Sequence, residues 1–188
     1  KDGDRVSASL ALRQLLTCSP ELVKGIAQAA KDHDVKIHTH LCEGTYEIDY
    51  TIEHYGKRPA EYLAEIGVLN RHLHCAHSVL LSPKEMDLYV KHKPSACHCA
   101  FNNYGIGHPR LLEMWDRGVD VGLGTDGAAA WGTLDIFRVA HSARVGQQLV
   151  MGTPNHYRIA NSDDLLKIAC NGGARALGLG QSIGSLEE

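Results

Sequence analysis

Val35-Lys36-Ile37-His38-Thr39-His40-Leu41 decides the fold. Apolar and β-branched residues alternate there with polar ones, the period of a strand. Upstream, Ser19 caps a helix with Pro20 in its first turn, which runs to about His33. Val6 to Leu12 reads as an earlier strand. Downstream, two helical stretches, Glu47 to Tyr55 and Pro59 to Ile66, are broken by Gly56 and Gly67. The pattern then recurs. Arg71 to His77 is a third strand, and Ser82-Pro83-Lys84-Glu85 is a capping box that opens a helix to about His92. Ser95 to Cys99 is a short fourth strand, and a helix from Pro109 to Arg117 leads to a fifth, Val119 to Leu123. Two more helices, Leu134 to about Val150 and Ser162 to Asn171, complete the series.

Strand followed by helix, five times over, means parallel strands joined by crossovers. A doubly wound sheet would carry a glycine-rich phosphate loop after its first strand. Leu15-Leu16-Thr17-Cys18 stands there instead. The residues able to do chemistry fall at the C-terminal ends of at least three strands, the mark of a (β/α)₈ TIM-type barrel. A whole barrel takes about 250 residues, so five βα units make roughly five-eighths of one. The expected fold is therefore α/β, an incomplete barrel in a single domain over residues 1–188.

Of the 188 residues, 44% are hydrophobic and 22% charged, and the formal net charge is -3. That composition supports a buried core and argues against disorder and against a dedicated nucleic-acid binder. No apolar run reaches the roughly 18 residues of a membrane span. Lys1-Asp2-Gly3-Asp4-Arg5 is not a secretory leader. The six cysteines lie mostly inside apolar runs, as buried reduced thiols do, which points to a cytoplasmic compartment.

Histidine is the outlier, with 12 in the chain. His38 and His40 are two apart on one strand and share a face, as do His72 and His74 on another. His40 lies nearer its strand end, and Glu43 can turn back over the site. His74 suits a proton acceptor, since imidazole titrates near neutrality, whereas His77 reads as the start of a loop. Asp126 ends the fifth strand within Leu123-Gly124-Thr125-Asp126-Gly127. Gly122 and Gly124 share its face and leave space beneath it. Each residue alone is ordinary, a core imidazole or a loop carboxylate. His40, Glu43, His74 and Asp126 together, at the ends of three parallel strands in a set order, are harder to place by accident.

His40-Leu41-Cys42-Glu43, His74-Cys75-Ala76-His77, Ser95-Ala96-Cys97-His98 with Asn103, and Leu123-Gly124-Thr125-Asp126-Gly127-Ala128-Ala129 together resemble the amidohydrolase superfamily. The branch most alike is that of cytosine, guanine and adenosyl-homocysteine deaminases and triazine hydrolases. The resemblance spans the fourth to eighth barrel strands. It implies that His40 and Asp126 hold one divalent metal, zinc in the first instance and iron as the alternative. It implies that Glu43 passes a proton to the substrate ring nitrogen, that His74 contacts the attacking water, and that Asp126 helps deprotonate it. His98 takes a supporting place among the substrate contacts, because Ala100-Phe101-Asn102 departs from the usual Pro-Ser-Ser stretch. Arg13 and Gln14, at the first strand end, and Trp131, five residues past Asp126, are candidate substrate contacts. The family's first-strand His-x-His and its flanking β-sandwich have no counterpart here, so the chain reads as a fragment of a longer protein.

The activity implied is metal-dependent hydrolytic deamination of an amino-substituted nitrogen heterocycle such as a purine, pterin or pyrimidine. The partner is a small heterocyclic substrate, with no nucleic acid and no membrane. A homodimer is common in this branch. Two other functions stand beside it: a triazine-type chlorohydrolase, and a non-catalytic metal-binding barrel fragment.

Overall fold

The computed structural model describes residues 6–151 and 159–186, with the side chains of residues 130, 131, 150 and 151 outside that description. Five parallel strands form one sheet in sequential order: β1 (Leu10–Leu12), β2 (Ile37–Leu41), β3 (Leu73–His77), β4 (Ser95–His98) and β5 (Val121–Leu123). Between them run α1 (Pro20–His33), α2 (Thr45–Tyr55), α3 (Pro59–Glu65), α4 (Pro83–His92), α5 (Ala100–Ile106) and α6 (Leu111–Asp116). After β5 come α7 (Ala128–Trp131), α8 (Ile136–Met151), α9 (Ser162–Lys167) and α10 (Gly173–Ala176). The five expected strand–helix units are all present.

Local chemistry explains the helix ends. The Ser19 hydroxyl accepts from the Leu22 amide, Pro20 opens α1, and Asp34 ends it in the left-handed conformation (φ 48°). At α4 the Ser82 side chain accepts from the Glu85 amide, and the Glu85 carboxylate accepts from the Ser82 amide. Glu85 is also fully buried, and it pairs with Arg58 at 2.7 Å and accepts from the Ala60 amide at 3.0 Å. A buried carboxylate is tolerable when its oxygens are satisfied in this way. It ties α3 and α4 together behind the loop that follows β2.

Register sorts the side chains of the sheet. His38 pairs with His74 and His74 with Ser95, while Ala76 pairs with Cys97 and Cys97 with Gly122. In a parallel pair such partners share a face. His38, His40, His74 and Cys97 therefore lie on one side. On the other, Ile37, Leu41, Leu73, Cys75, Ala96 and Val121 pack against Ala27, Ala30, Leu63, Met86, Tyr89, Leu111 and Met114. That continuous apolar layer anchors every strand, so the strand ends project from a rigid base.

Backbone strain marks where those ends turn. Among the described residues, six non-glycine positions have positive φ. Two, Asp34 and Lys93, cap helices. The other four, Cys42 (50°), His77 (72°), Ser78 (49°) and Asp126 (60°), cluster where β2, β3 and β5 finish. Such conformations cost roughly 1–3 kcal/mol each and persist where surrounding contacts hold them, often at functional sites.

Candidate active site

Glu43 is the most heavily contacted polar group at the strand ends. Its Oε2 accepts from Gln14 Nε2 at 2.7 Å and from the Tyr46 hydroxyl at 3.2 Å. The same oxygen lies 3.2 Å from His40 Nδ1 and 3.8 Å from the Arg13 guanidinium. Oε1 faces His77 Nε2 at 3.7 Å. The His40 hydrogen bond is the main cause that lowers the Glu43 pKa to about 2. Behind it, fully buried Glu47 accepts from the Glu43 amide at 3.1 Å. Burial pushes Glu47 up to about 8, so it is a neutral acid at pH 7 and puts no second negative charge beside Glu43.

His77 stands at the centre. It is 1% exposed, and its ring centroid is 4.7 Å from that of His40. One donor atom each from His40, Glu43 and His77 lie within 4.8 Å of one another, and so do one each from His77, Cys99 and Asp126. His77 belongs to both groups and links the β2 loop to the β5 loop. Asp126 is set by its left-handed backbone and by the Gly127 amide, which donates to its Oδ1 at 2.7 Å. Beneath it Gly124 is required: a Cβ there would sit 2.4 Å from Cys97 Sγ.

The residues singled out from sequence separate into those at this cluster and those away from it. His40, Glu43 and Asp126 reach it, and Gln14 reaches it through Glu43. Arg13 is at its edge with a largely exposed side chain. His74 does not reach it. Its ring lies further down the strand face, with Nδ1 2.9 Å from Ser95 Oγ and its centroid 5.7 Å from that of His38. The place expected for His74 is taken by His77. His98 is also away from the strand mouth, buried behind β4 with its ring edge-on to Tyr104. Its odd-numbered register partner explains this: His98 pairs with Leu123, on the core-facing side of the sheet. Trp131 ends α7, and its side chain lies outside the described residues. Tyr46, Glu47 and Cys99 were not singled out from sequence.

The donors suit a divalent ion. Imidazole nitrogen and carboxylate oxygen are the usual ligands of zinc and its neighbours. Each of the two groups that share His77 supplies both kinds, with its donor atoms within 4.8 Å of one another.

The whole chain, residues 1–188, matches the profile of the amidohydrolase family. The chain belongs to the amidohydrolase family. It is 36% identical to 5-methylthioadenosine/S-adenosylhomocysteine deaminase 2 of Archaeoglobus fulgidus over 179 residues, which is 93% of this chain and 41% of that protein. Its fold superposes on an adenosine deaminase from Xanthomonas campestris with bound zinc, with a TM-score of 0.91 and 28% identity over 100% of this chain and 42% of the other. It also superposes on the zinc complex of atrazine chlorohydrolase from Arthrobacter aurescens TC1, with a TM-score of 0.83 and 26% identity over 95% of this chain and 39% of that one. The chain spans about two fifths of the length of the curated relatives it matches.

As an amidohydrolase, the chain carries its strand-end cluster where barrels of this architecture place their chemistry. The parallel sheet with alternating helices is part of that barrel fold. All six cysteines are free thiols, but only Cys42, Cys75 and Cys99 are buried as expected; Cys18 and Cys97 are half-buried and Cys170 is exposed. Among the described residues, no helix is long and apolar enough to cross a membrane.

Proposed function

We propose that the full-length protein is a metal-dependent deaminase of an amino-substituted purine, with adenine nucleosides as the leading substrate class. The observation that carries this reading is the position of His77 between the His40–Glu43 pair and Asp126. It is supported by relatives that bear the names of methylthioadenosine, adenosylhomocysteine and 5'-deoxyadenosine deaminases.

In this reading His40 and Asp126 hold the metal, with zinc as the ion. Further ligands come from parts of the protein outside these residues. A bound divalent ion acidifies water from a pKa of 15.7 to about 7. Glu43 takes a proton from the attacking water and passes it to the ring nitrogen beside the reacting carbon. His77, through Nε2, and Asp126 hold and orient that water; this is the role the family resemblance gives to His74, taken here by the histidine three residues later at the end of β3. The ring carbon becomes tetrahedral, the carbon–amine bond breaks, and ammonia leaves with a second proton. Gln14 holds Glu43 in place from the β1 end, and Arg13 meets the substrate's polar edge. Six free thiols favour a reducing, cytoplasmic compartment.

The test is ammonia release from a panel of methylthioadenosine, adenosylhomocysteine, guanine, a pterin, cytosine and a chlorotriazine with the zinc-loaded full-length protein. Ammonia from adenine nucleosides is expected. Chloride release alone would favour the chlorohydrolase alternative. Stoichiometric zinc with no turnover of any compound would favour a non-catalytic barrel.

A further inference from the structure

One side chain grips His77 at both its ring and its main chain. Asn103, in α5, is fully buried and contacts His77 twice. Asn103 Nδ2 donates to the His77 carbonyl oxygen at 3.2 Å, and Asn103 Oδ1 lies 3.0 Å from His77 Nδ1. A third contact joins Asn103 Nδ2 to His98 Nδ1 at 2.8 Å. Both amide hydrogens and the amide oxygen are thus engaged.

These contacts fix the protons. A backbone carbonyl can only accept, so the atom of Asn103 that faces it is the amide nitrogen. The amide oxygen then faces His77 Nδ1, and since that oxygen can only accept, His77 Nδ1 carries the hydrogen. When the ring carries a single proton, its lone pair is therefore left on Nε2, the atom that faces Glu43. His98 is set in the opposite sense: its Nδ1 accepts, and its buried Nε2 has no partner among the described residues. His98 therefore orients Asn103 and has no contact with the strand mouth.

The clamp also answers a question of strain. In an ideal strand His77 would follow Leu41, its register partner, and point into the apolar layer. The left-handed backbone at His77 turns its ring out of that alternation. A β-strand end held at φ 72° needs contacts that determine it, and Asn103 grips the main chain and the ring of the same residue.

We propose that Asn103, backed by His98, is a positioning residue that locks His77 in the Nδ1-protonated tautomer and in its turned backbone, so that Nε2 is presented as an acceptor to the reacting water. The importance for turnover rests on the deaminase reading; the tautomer does not. The test uses the full-length protein labelled with ¹⁵N-histidine, the His77 signals being assigned by their loss in His77→Gln. His77 is expected to be protonated on Nδ1 and free on Nε2. In Asn103→Leu that preference should disappear, and kcat for 5-methylthioadenosine should fall about 10–100-fold, the usual cost of losing such an outer partner, with KM within about twofold. Asn103→Asp keeps the acceptor for His77 Nδ1 and should keep the tautomer, with a kcat between those of the wild-type protein and Asn103→Leu. His77 protonated on Nε2 in the wild-type protein or in Asn103→Asp overturns the proposal, and so does an unchanged tautomer and kcat in Asn103→Leu. Should Asn103→Leu fail to fold, the wild-type and Asn103→Asp spectra decide alone. A wild-type protein that releases no ammonia yet shows the Nδ1 tautomer refutes the deaminase reading and leaves the clamp intact.

Discussion

Glu43→Gln is expected to reduce ammonia release by about 10²–10⁴-fold, the range for loss of a positioned acid–base group, while metal content stays at the wild-type level. The reason is geometric. Glu43 is the carboxylate on which Gln14, Tyr46 and His40 converge, and its second oxygen faces His77. The amide of glutamine is close in size but cannot carry a proton from water to a ring nitrogen. One oxygen remains to accept from Gln14 or Tyr46, so the loop should hold its place. Turnover measured against zinc stoichiometry checks this. Unaltered turnover would remove Glu43 from the chemistry. Loss of zinc together with turnover would make it a ligand instead of a proton carrier.

The second large effect separates two histidines only three residues apart. His77→Gln should lower kcat by about 10²–10⁴-fold, because its ring lies in both donor groups at the strand ends. His74→Gln should change kcat by less than about tenfold. His74 has its own partner in Ser95 and lies with His38 further along the sheet face. Steady-state kinetics of the two variants, side by side with the wild-type protein, gives the answer. The reverse order of effects would restore His74 as the water's partner and leave His77 as a structural residue.

The comparison of these histidines shows what could be read from sequence and what could not. Elements set by local chemistry were legible. Ser19 and Pro20 open α1 where the sequence places its start, and the expected span to about His33 matches the observed Pro20–His33. The capping box at Ser82 appears as read. The strand–helix alternation gave the parallel sheet without any knowledge of its neighbours. Strand lengths were less legible: Val6 to Leu12 forms a strand only at Leu10–Leu12, with Val6 70% exposed, since pairing with β2 starts at Leu10. The helix expected over Ser162 to Asn171 is α over Ser162–Lys167 and widens at Ile168–Gly172. There Gly172 lies so close to the Val121 carbonyl that a Cβ would sit 2.2 Å from it. That is a tertiary contact, invisible to helical periodicity.

The helix α5 went unread for a related reason. Its sequence, Ala100-Phe101-Asn102-Asn103-Tyr104-Gly105-Ile106, is poor in strong helix formers. Asn103 and Tyr104 are held by contacts to His77, His98 and the Ala143 carbonyl. At the site, pleat parity correctly brought His40 to the face of the cluster. His77, read as the start of a loop, was set aside in favour of His74, yet it is the last residue of β3 and joins both donor groups. The positive φ at His77 turns its ring out of the strand alternation, and a histidine, enriched in that conformation yet seldom found in it, does not announce it from sequence. His98 was misplaced by the motif it resembles, since a strand signature does not say which face a side chain takes.

The most direct measurement is anomalous diffraction at the zinc edge from crystals of the zinc-loaded full-length protein. A single peak within about 2.0–2.2 Å of a His40 nitrogen and an Asp126 oxygen, the ordinary zinc bond length to such ligands, with His77 Nε2 turned toward it, is the predicted result. A peak that touches only one of these two residues, or none of them, would contradict it.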